Sequence, residues 1–174
     1  MDSATTADGH VLRTALRSDP ELASHPALTD HTSTQPGAGL HLAVMTGPYL
    51  NRIVDGTKTV ESRFHRIRNA PLNRVSAGDL VVFKPSGLAV SHVARVCDAT
   101  YIDVVHTPLE VVRATWQDRI ADTTDRFWSA RANARWVSLI EIDWVRQTPS
   151  VVLQKRDRRG WISYDPCCLG DALF

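Results

Sequence analysis

The most informative stretch of the chain is GTKTVESRF, residues 56–64. Side chains alternate in character along it, which predicts a β-strand over 58–64. Because residues two apart on a strand project from one face, Glu61 and Arg63 are expected to lie side by side. Lys58 leaves the turn just before them. The stretch therefore predicts a cation, an anion and a second cation at one end of a sheet.

This charged group has three interpretations. Lysine and arginine suit a phosphate or a base edge, with Glu61 accepting hydrogen bonds from the base. The same residues can instead form a Glu61–Arg63 or Glu61–Lys58 ion pair that stabilises the end of the sheet. The third interpretation is a hydrolytic site, in which Glu61 is the general base and Lys58 or Arg63 stabilises the developing charge.

The segments on either side predict short strands and helices. Upstream, an apolar strand (LHLAVM, 40–45) precedes a helix in TGPYLNRIVDGT (46–57), which Gly56 is placed to end. Downstream, the spacing of apolar residues predicts helices over 107–120 and 125–136. Further strands are predicted at 80–83, 88–96, 137–145 and 151–153.

This order of elements predicts the α+β class. Short strands separated by a few helices favour a small curved sheet or barrel, and the lack of βαβ alternation with long crossovers argues against a doubly wound nucleotide-binding fold. Residues 1–39 combine a short amphipathic segment with a tract rich in turn formers, so they are predicted to be an N-terminal arm and linker. The domain itself is expected to span 40–174, and the arm is the candidate site for a protein partner.

Composition and charge narrow the function classes. Of 174 residues, 43% are hydrophobic and 22% charged, as in ordinary globular proteins. No apolar run approaches the roughly 20 residues of a membrane-spanning helix. Residues 1–39 carry two basic against five acidic residues, a net −3, and the rest carries 18 against 14, a net +4. This mildly basic body permits a polyanionic ligand without requiring one.

Cysteine and histidine usage argues against a disulfide framework and against a metal. Cys167 and Cys168 are adjacent, only one further cysteine is present, and the seven histidines show no pair at metal-ligand spacing. We therefore predict neither a metal nor a cofactor. No signal peptide or membrane segment is recognised, so a cytoplasmic protein without membrane contact is expected.

Three patches together resemble the ASCH family, a branch of the PUA-like β-barrels. They are GTKTVESRF (56–64), with its glycine, lysine, glutamate and arginine, AGDLVVFKPSG (77–87), with Gly-Asp before a strand, and KRDRRGW (155–161), a basic turn closed by tryptophan. The resemblance covers residues 40 to about 164. It implies a PUA-like small β-barrel of the ASCH type with flanking helices.

The resemblance also implies a function. We expect an RNA- or nucleotide-binding domain whose charged cleft lies at the helix–strand unit 46–63. The alternative is a small hydrolase, because some ASCH relatives are amidohydrolases acting on acylated cytidine and another branch is ribonucleolytic. Lys58 matches the lysine that the amidohydrolases use, whereas Glu61 stands where they have a threonine. If the protein is an enzyme, Lys58 and Glu61 are the catalytic candidates.

The predicted ligand contacts add cations from elsewhere in the chain. Arg131 lies on the predicted 125–136 helix and shares a face with Trp128, which favours either a basic, aromatic binding surface or a tryptophan packed beneath arginine stems. The loop 64–76 is expected to cover the Lys58 pocket. The full set of predicted RNA-, nucleotide- or nucleoside-binding residues is Lys58, Thr59, Glu61, Arg63, His65, Lys84, Arg131, Lys155, Arg158 and Arg159.

Overall fold

A computed structural model describes residues 3–28, 38–154 and 159–164 of the chain. Its six strands are β1 (Leu40–Met45), β2 (Val60–His65), β3 (Leu80–Pro85), β4 (Val90–Asp103), β5 (Trp136–Val151) and β6 (Trp161–Ser163). Its helices are α1 (Ser3–Arg17), α2 (Tyr49–Val54), α3 (Leu109–Ile120) and α4 (Asp125–Ser129), with a 3-10 turn at Pro26–Leu28.

The strands form one mixed sheet in the order β2–β5–β4–β3–β1–β6. β1 pairs in parallel with β3, and the remaining ladders are antiparallel. The long β4–β5 ladder has register shifts around Val96, and such irregularities bend and twist strands. The sheet therefore curls into a half-barrel with flanking helices, which confirms the predicted α+β class and the small curved sheet.

The two edge strands of the half-barrel, β2 and β6, are connected by one side chain. Arg63 on β2 donates from Nη2 to the carbonyl of Val44 on β1, at 3.0 Å. Its guanidinium also lies 5.5 Å from the ring centroid of Trp161 on β6. Arg63 thus spans the open side of the curled sheet, and the site described below lies beside it.

One face of the sheet is covered by α1. Leu12 and Leu16 are fully buried there, whereas Val11 on the opposite side of the helix is 45% exposed. The helix is longer than the two turns that the sequence indicates, and its apolar side joins a cluster of sheet residues that includes Leu40, Leu42, Leu80, Val82, Val93 and Ile162. Whether 40–174 folds without this segment stays a prediction.

Two predicted elements are wrong in extent. The helix predicted over 125–136 ends at Ser129, and the chain then turns until the Arg135 N–H donates to the carbonyl of His65 at 2.7 Å. The pairing of β2 with β5, which begins opposite Trp136, requires extended backbone there and overrides the helical spacing. The short strand predicted at 151–153 is not separate, because β5 runs through to Val151.

None of the helices in the described ranges is both long and apolar enough to cross a bilayer.

Candidate functional site

A cleft with a volume of about 390 Å³ opens between β1, α2, β2 and the turn that follows α4. We call it the Glu61 cleft. Its volume falls within the usual range for small-molecule sites. Three cations and one carboxylate line it, together with aromatic and small side chains. The lining residues are Val44, Met45, Thr46, Tyr49, Lys58, Glu61, Ser62, Arg63, Phe64, Phe127, Ala130 and Arg131.

The cation–anion–cation group predicted from the sequence is present and is buried. Lys58 and Glu61 are only 3% and 4% exposed. Glu61 Oε2 lies 3.4 Å from Lys58 Nζ, and Glu61 Oε1 lies 2.8 Å from Arg63 Nε. The second contact is an ion pair and not a directed hydrogen bond, because the buried Arg63 Nε–H has no hydrogen-bond acceptor in the described residues. Glu61 is thus held between two cations.

Lys58 has its hydrogen-bonding capacity satisfied by the protein. An ammonium has three N–H donors, and Lys58 Nζ meets the carbonyls of Val60 (2.6 Å) and Ile120 (3.3 Å) as well as Glu61. Burial lowers the pKa of Lys58, whereas the neighbouring Glu61 carboxylate acts in the opposite direction. Lys58 therefore joins the end of α3 to β2 and fixes Glu61 in place.

Arg131 differs from Lys58 in its partners. Its guanidinium lies 3.4 Å from the centroid of the Phe127 ring and 5.2 Å from that of Phe64. Nη1 donates to the Phe127 carbonyl at 2.7 Å. Within the described part of the chain it forms no ion pair with a carboxylate. Burial lowers the pKa of Arg131, as expected for a partly desolvated cation.

Tyr49 contributes an aromatic wall that the sequence did not reveal. Its ring centroid lies 5.6 Å from Lys58 Nζ, and its hydroxyl donates to Asp122 Oδ2 at 2.8 Å. Burial and the hydrogen bond to Asp122 raise the pKa of Tyr49. Phe127, whose backbone N–H is capped by Thr124 Oγ1 at 3.3 Å, lies beside it, with the two ring centroids 6.3 Å apart in an edge-to-face arrangement.

Four predicted contact residues in the described ranges do not line the Glu61 cleft: Thr59, His65 and Lys84, and also Arg159, which lies at a second cavity. The Thr59 hydroxyl, just before β2, accepts from Arg119 Nε at 3.3 Å. His65 is 9% exposed and its Nε2 lies 3.4 Å from Ser138 Oγ. Lys84 is on β3 at the register position of Val44.

The basic turn at 155–159 is described only in part. Lys155 and Arg158 lie outside the described residues. Arg159 lines a second cavity of about 310 Å³, which we call the Ser163 cavity. The other lining residues of the Ser163 cavity are Asn69, Ala70, Arg74, Gly160, Trp161, Ile162 and Ser163. The loop 64–76 therefore contributes Asn69, Ala70 and Arg74 to this second cavity, whereas only Phe64 reaches the Glu61 cleft.

The aromatic residues of the cleft were missed for a physical reason. Tyr49, Phe64 and Phe127 fit the apolar pattern of their own helix or strand, and only the packing of α4 against both α2 and β2 brings them together. As for metals, no three His, Cys, Asp or Glu side chains among the described residues are grouped so that they can hold an ion.

The comparisons with known proteins bear on the fold. No family model and no curated protein matches the chain. Among solved structures, an ASCH protein from Zymomonas mobilis is similar at a TM-score of 0.51 and 12% identity, over 64% of this chain and 72% of that one. A mutant form of that protein is similar at a TM-score of 0.47, 14% identity and 64% and 74% coverage. The hypothetical protein PH0355 has a TM-score of 0.43, 15% identity and 59% and 95% coverage.

At identities this low, the structural similarity supports the fold and does not indicate the activity. The element order of the curled sheet agrees with the three sequence patches that resemble this family. The chain therefore has an ASCH-type, PUA-like fold.

Proposed function

We propose that the Glu61 cleft binds a nucleotide-sized anion, either a free nucleotide or one nucleotide unit of an RNA strand. Arg131 carries this proposal. It is a partly buried guanidinium with an aromatic partner but no carboxylate partner among the described residues. Partial burial of a charge without an ion-pair partner costs free energy. The Phe127 ring and carbonyl and the more distant Asp122 and Glu61 offset only part of it, so a ligand phosphate adds the missing ion-pair partner.

The remaining lining fits the same ligand. Lys58, Arg63 and Arg131 against Glu61 leave the cleft with a positive balance. Glu61 uses one oxygen on each neighbouring cation, and a carboxylate has about four lone-pair sites, so it retains acceptors for the N–H groups of a base. Arginine planes and aromatic side chains also stack on unpaired bases. A cleft of this volume suits one nucleotide unit and not a duplex.

We assign Lys58 to positioning Glu61, because two backbone carbonyls and Glu61 surround its ammonium. Burial lowers the pKa of Lys58 while Glu61 acts in the opposite direction, so the assignment rests on these contacts and not on the protonation state. A lysine acts as nucleophile or base only after it loses a proton. Cleavage of RNA by this protein would support the hydrolase alternative.

The experiment compares wild-type protein with two arginine variants. A fluorescent single-stranded RNA and a nucleoside monophosphate are titrated at low and high salt, and Arg131→Ala is set beside Arg126→Ala, whose side chain is exposed on the neighbouring α4. Loss of one phosphate contact is expected to weaken binding by about tenfold or more and to lower the salt slope by about one. Arg126→Ala is expected to bind like wild type.

The outcomes separate the ligand sources. Saturable binding of the mononucleotide, with displacement of the RNA, identifies a free nucleotide as sufficient, whereas binding of RNA alone assigns the cleft to a strand. No binding of either at low salt overturns the proposal, as does equal weakening by Arg131→Ala and Arg126→Ala. Incubated RNA is run on a gel, where degradation that Glu61→Gln abolishes would support the hydrolase instead.

A further inference from the structure

An arginine–tryptophan pair lies just beyond the end of β2. The Arg68 guanidinium is 4.5 Å from the centroid of the Trp136 ring. Arg68 is exposed and Trp136 is partly exposed. Trp136 begins β5 and pairs in register with His65, the last residue of β2. The pair is therefore accessible to a ligand at the end of the strand that borders the Glu61 cleft.

Arg68 differs in its partners from four other arginines that contact an aromatic ring. Each of those four pairs with a carboxylate, and they are Arg63, Arg119, Arg135 and Arg146. Within the described ranges Arg68 forms neither an ion pair nor a hydrogen bond. A ring contact occupies a face of the guanidinium and leaves its five in-plane N–H donors available. Arg68 can therefore donate to a phosphate while it stays on the Trp136 ring.

The Glu61 cleft contains the same kind of arrangement. Arg131 lies 3.4 Å from the centroid of the Phe127 ring and has no carboxylate partner among the described residues. Arg131 and Arg68 are thus two cations on aromatic rings without a countercharge. Proteins that bind single-stranded nucleic acids combine cations for the backbone with aromatic side chains for the bases. The repeated arrangement favours a ligand with more than one phosphate.

The edge of β2 connects the two arginines. β2 is an edge strand of the sheet, and its consecutive residues 61–64 line the Glu61 cleft. Because side chains alternate between the two faces of a strand, a cleft lined by consecutive residues follows the strand's edge. Arg68 is four residues beyond Phe64, a separation of at most about 14 Å between their Cα atoms. A strand of about four nucleotides covers this span, at ~3.4 Å per stacked nucleotide.

The charge at the end of β2 agrees with a polyanionic strand. Arg135 also lies near the Trp136 ring, at 5.1 Å, but Asp103 pairs with it at 2.8 Å. Arg66 is exposed and forms no ion pair in the part of the chain that the structure describes. Arg66 and Arg68 therefore give this surface two positive charges without a countercharge, which attract a phosphate backbone.

We propose that Arg68 and Trp136 form a second nucleotide subsite, so that one single strand of RNA binds across the Glu61 cleft and the end of β2. This inference rests on the function proposed for the Glu61 cleft. Arg131 contacts one phosphate of the strand, and Arg68 contacts another. The base beside that second phosphate stacks on the exposed part of the Arg68–Trp136 pair. A free nucleotide fills only the first of the two subsites.

The first test is the length dependence of binding by the full chain. RNA of one, two, four and eight nucleotides, with all four bases mixed at every position, is titrated at low and high salt. We expect the affinity to rise at least about fivefold from one to four nucleotides, the effect of one stacked base. Arg68→Ala is expected to remove most of that gain and to lower the salt slope for the tetranucleotide by about 0.7.

The matched control for Arg68→Ala is Arg119→Ala. Arg119 also lies on a tryptophan, 5.3 Å from the centroid of the Trp116 ring, but Glu141 pairs with it. Its side chain is 43% exposed and does not line the Glu61 cleft. We therefore expect Arg119→Ala to show the same gain with length as the wild type.

The outcomes distinguish this inference from the function on which it rests. If RNA of no length binds at low salt, both are overturned. If a mononucleotide binds and Arg131→Ala weakens it, but longer strands bind no more tightly, only the second subsite is overturned. A gain with length that persists in Arg68→Ala, or that Arg119→Ala removes equally, also overturns the second subsite alone.

The second test uses the wild-type chain, so a variant that fails to fold does not remove it. Tetranucleotides with 4-thiouridine at the first or the last position are cross-linked to the protein by light, and the adducts are located by peptide mass spectrometry. We expect one end to cross-link beside the Glu61 cleft and the other end beside Arg68 or Trp136. Cross-links from both ends that are confined to the cleft would contradict the second subsite.

Discussion

The two faces of the curled sheet are stabilised in different ways. The face beneath α1 is packed with aliphatic side chains such as Leu12, Leu16 and Leu42. The opposite face carries Trp161 and buried polar residues, among them Glu61 and the His41–Asp79 pair. Aliphatic packing depends on volume and tolerates changes that conserve it. Buried ion pairs depend on every partner being present. We therefore expect stability to come mainly from the first face and ligand chemistry from the second.

The largest expected loss of stability comes from removing residues 1–37, which supply the α1 side chains packed on the first face. This deletion removes Leu12, Leu16, Leu22 and Leu28, which are at most 3% exposed and each contribute about 1.5–3 kcal/mol by burial. The total is comparable to the whole stability of a typical domain, about 5–15 kcal/mol. We expect the shortened chain to lose cooperative thermal unfolding, measured by circular dichroism.

The control for this deletion is Leu16→Met in the full chain, which nearly conserves volume and is expected to cost less than about 1.5 kcal/mol. A 38–174 chain that melts cooperatively near the wild-type temperature would contradict the expectation. It would show that the domain predicted from residue 40 onward folds independently and that the arm is accessory.

Breaking the charge cluster on the other face has the next largest expected effect. Glu61→Gln removes the anion between Lys58 and Arg63, whose side chains are 2% and 20% exposed, and leaves Lys58 buried without its carboxylate partner. Loss of one partner from a buried ion pair costs about 3–5 kcal/mol. Urea denaturation of the variant measures this change in the free energy of unfolding.

A surface pair provides the matched control for Glu61→Gln. Arg95 and Asp143 are 2.8 Å apart with side chains 50% and 41% exposed, so Asp143→Asn is expected to cost less than about 1 kcal/mol. Equal effects of the two substitutions would show that the Glu61 cluster contributes no more than a solvated pair, and the contrast between the two faces would fail.

The smallest predicted effect is a pH dependence of the free energy of unfolding that arises from Asp79 on the polar face. Burial raises the pKa of Asp79, but the hydrogen bonds from His41, Gly39 and Ser76 together lower it below its ordinary value. Its stabilising contribution is therefore present above the ordinary aspartate pKa and is lost as the pH falls through the lower folded pKa. Asp79→Asn is therefore expected to flatten the acid side of the stability curve by at most about 1.4 kcal/mol per pH unit. Urea melts at several acidic pH values measure the slope, and parallel curves for the two proteins would contradict the prediction.

The strand β2 shows what the local sequence pattern can predict. The alternation over 58–64 predicts a strand with Glu61 and Arg63 on one face, and the structure places β2 at Val60–His65 with both side chains in one ion-pair cluster. The helix predicted over 125–136 shows the opposite case. Its spacing is helical, but β5 must begin at Trp136 to pair with His65, so the helix ends at Ser129. Here a long-range ladder prevails over a local preference.

The sequence alone determined the α+β class, the ASCH-like motif order and the charged group at Lys58, Glu61 and Arg63, because each depends on residues within a few positions of one another. Only the tertiary structure decided that Lys58 is satisfied by backbone carbonyls while Arg131 has no carboxylate partner among the described residues. It likewise brought Ser163 to His41 across 122 positions, since β6 pairs with β1. Such contacts are set by strand order and register, which no local periodicity specifies.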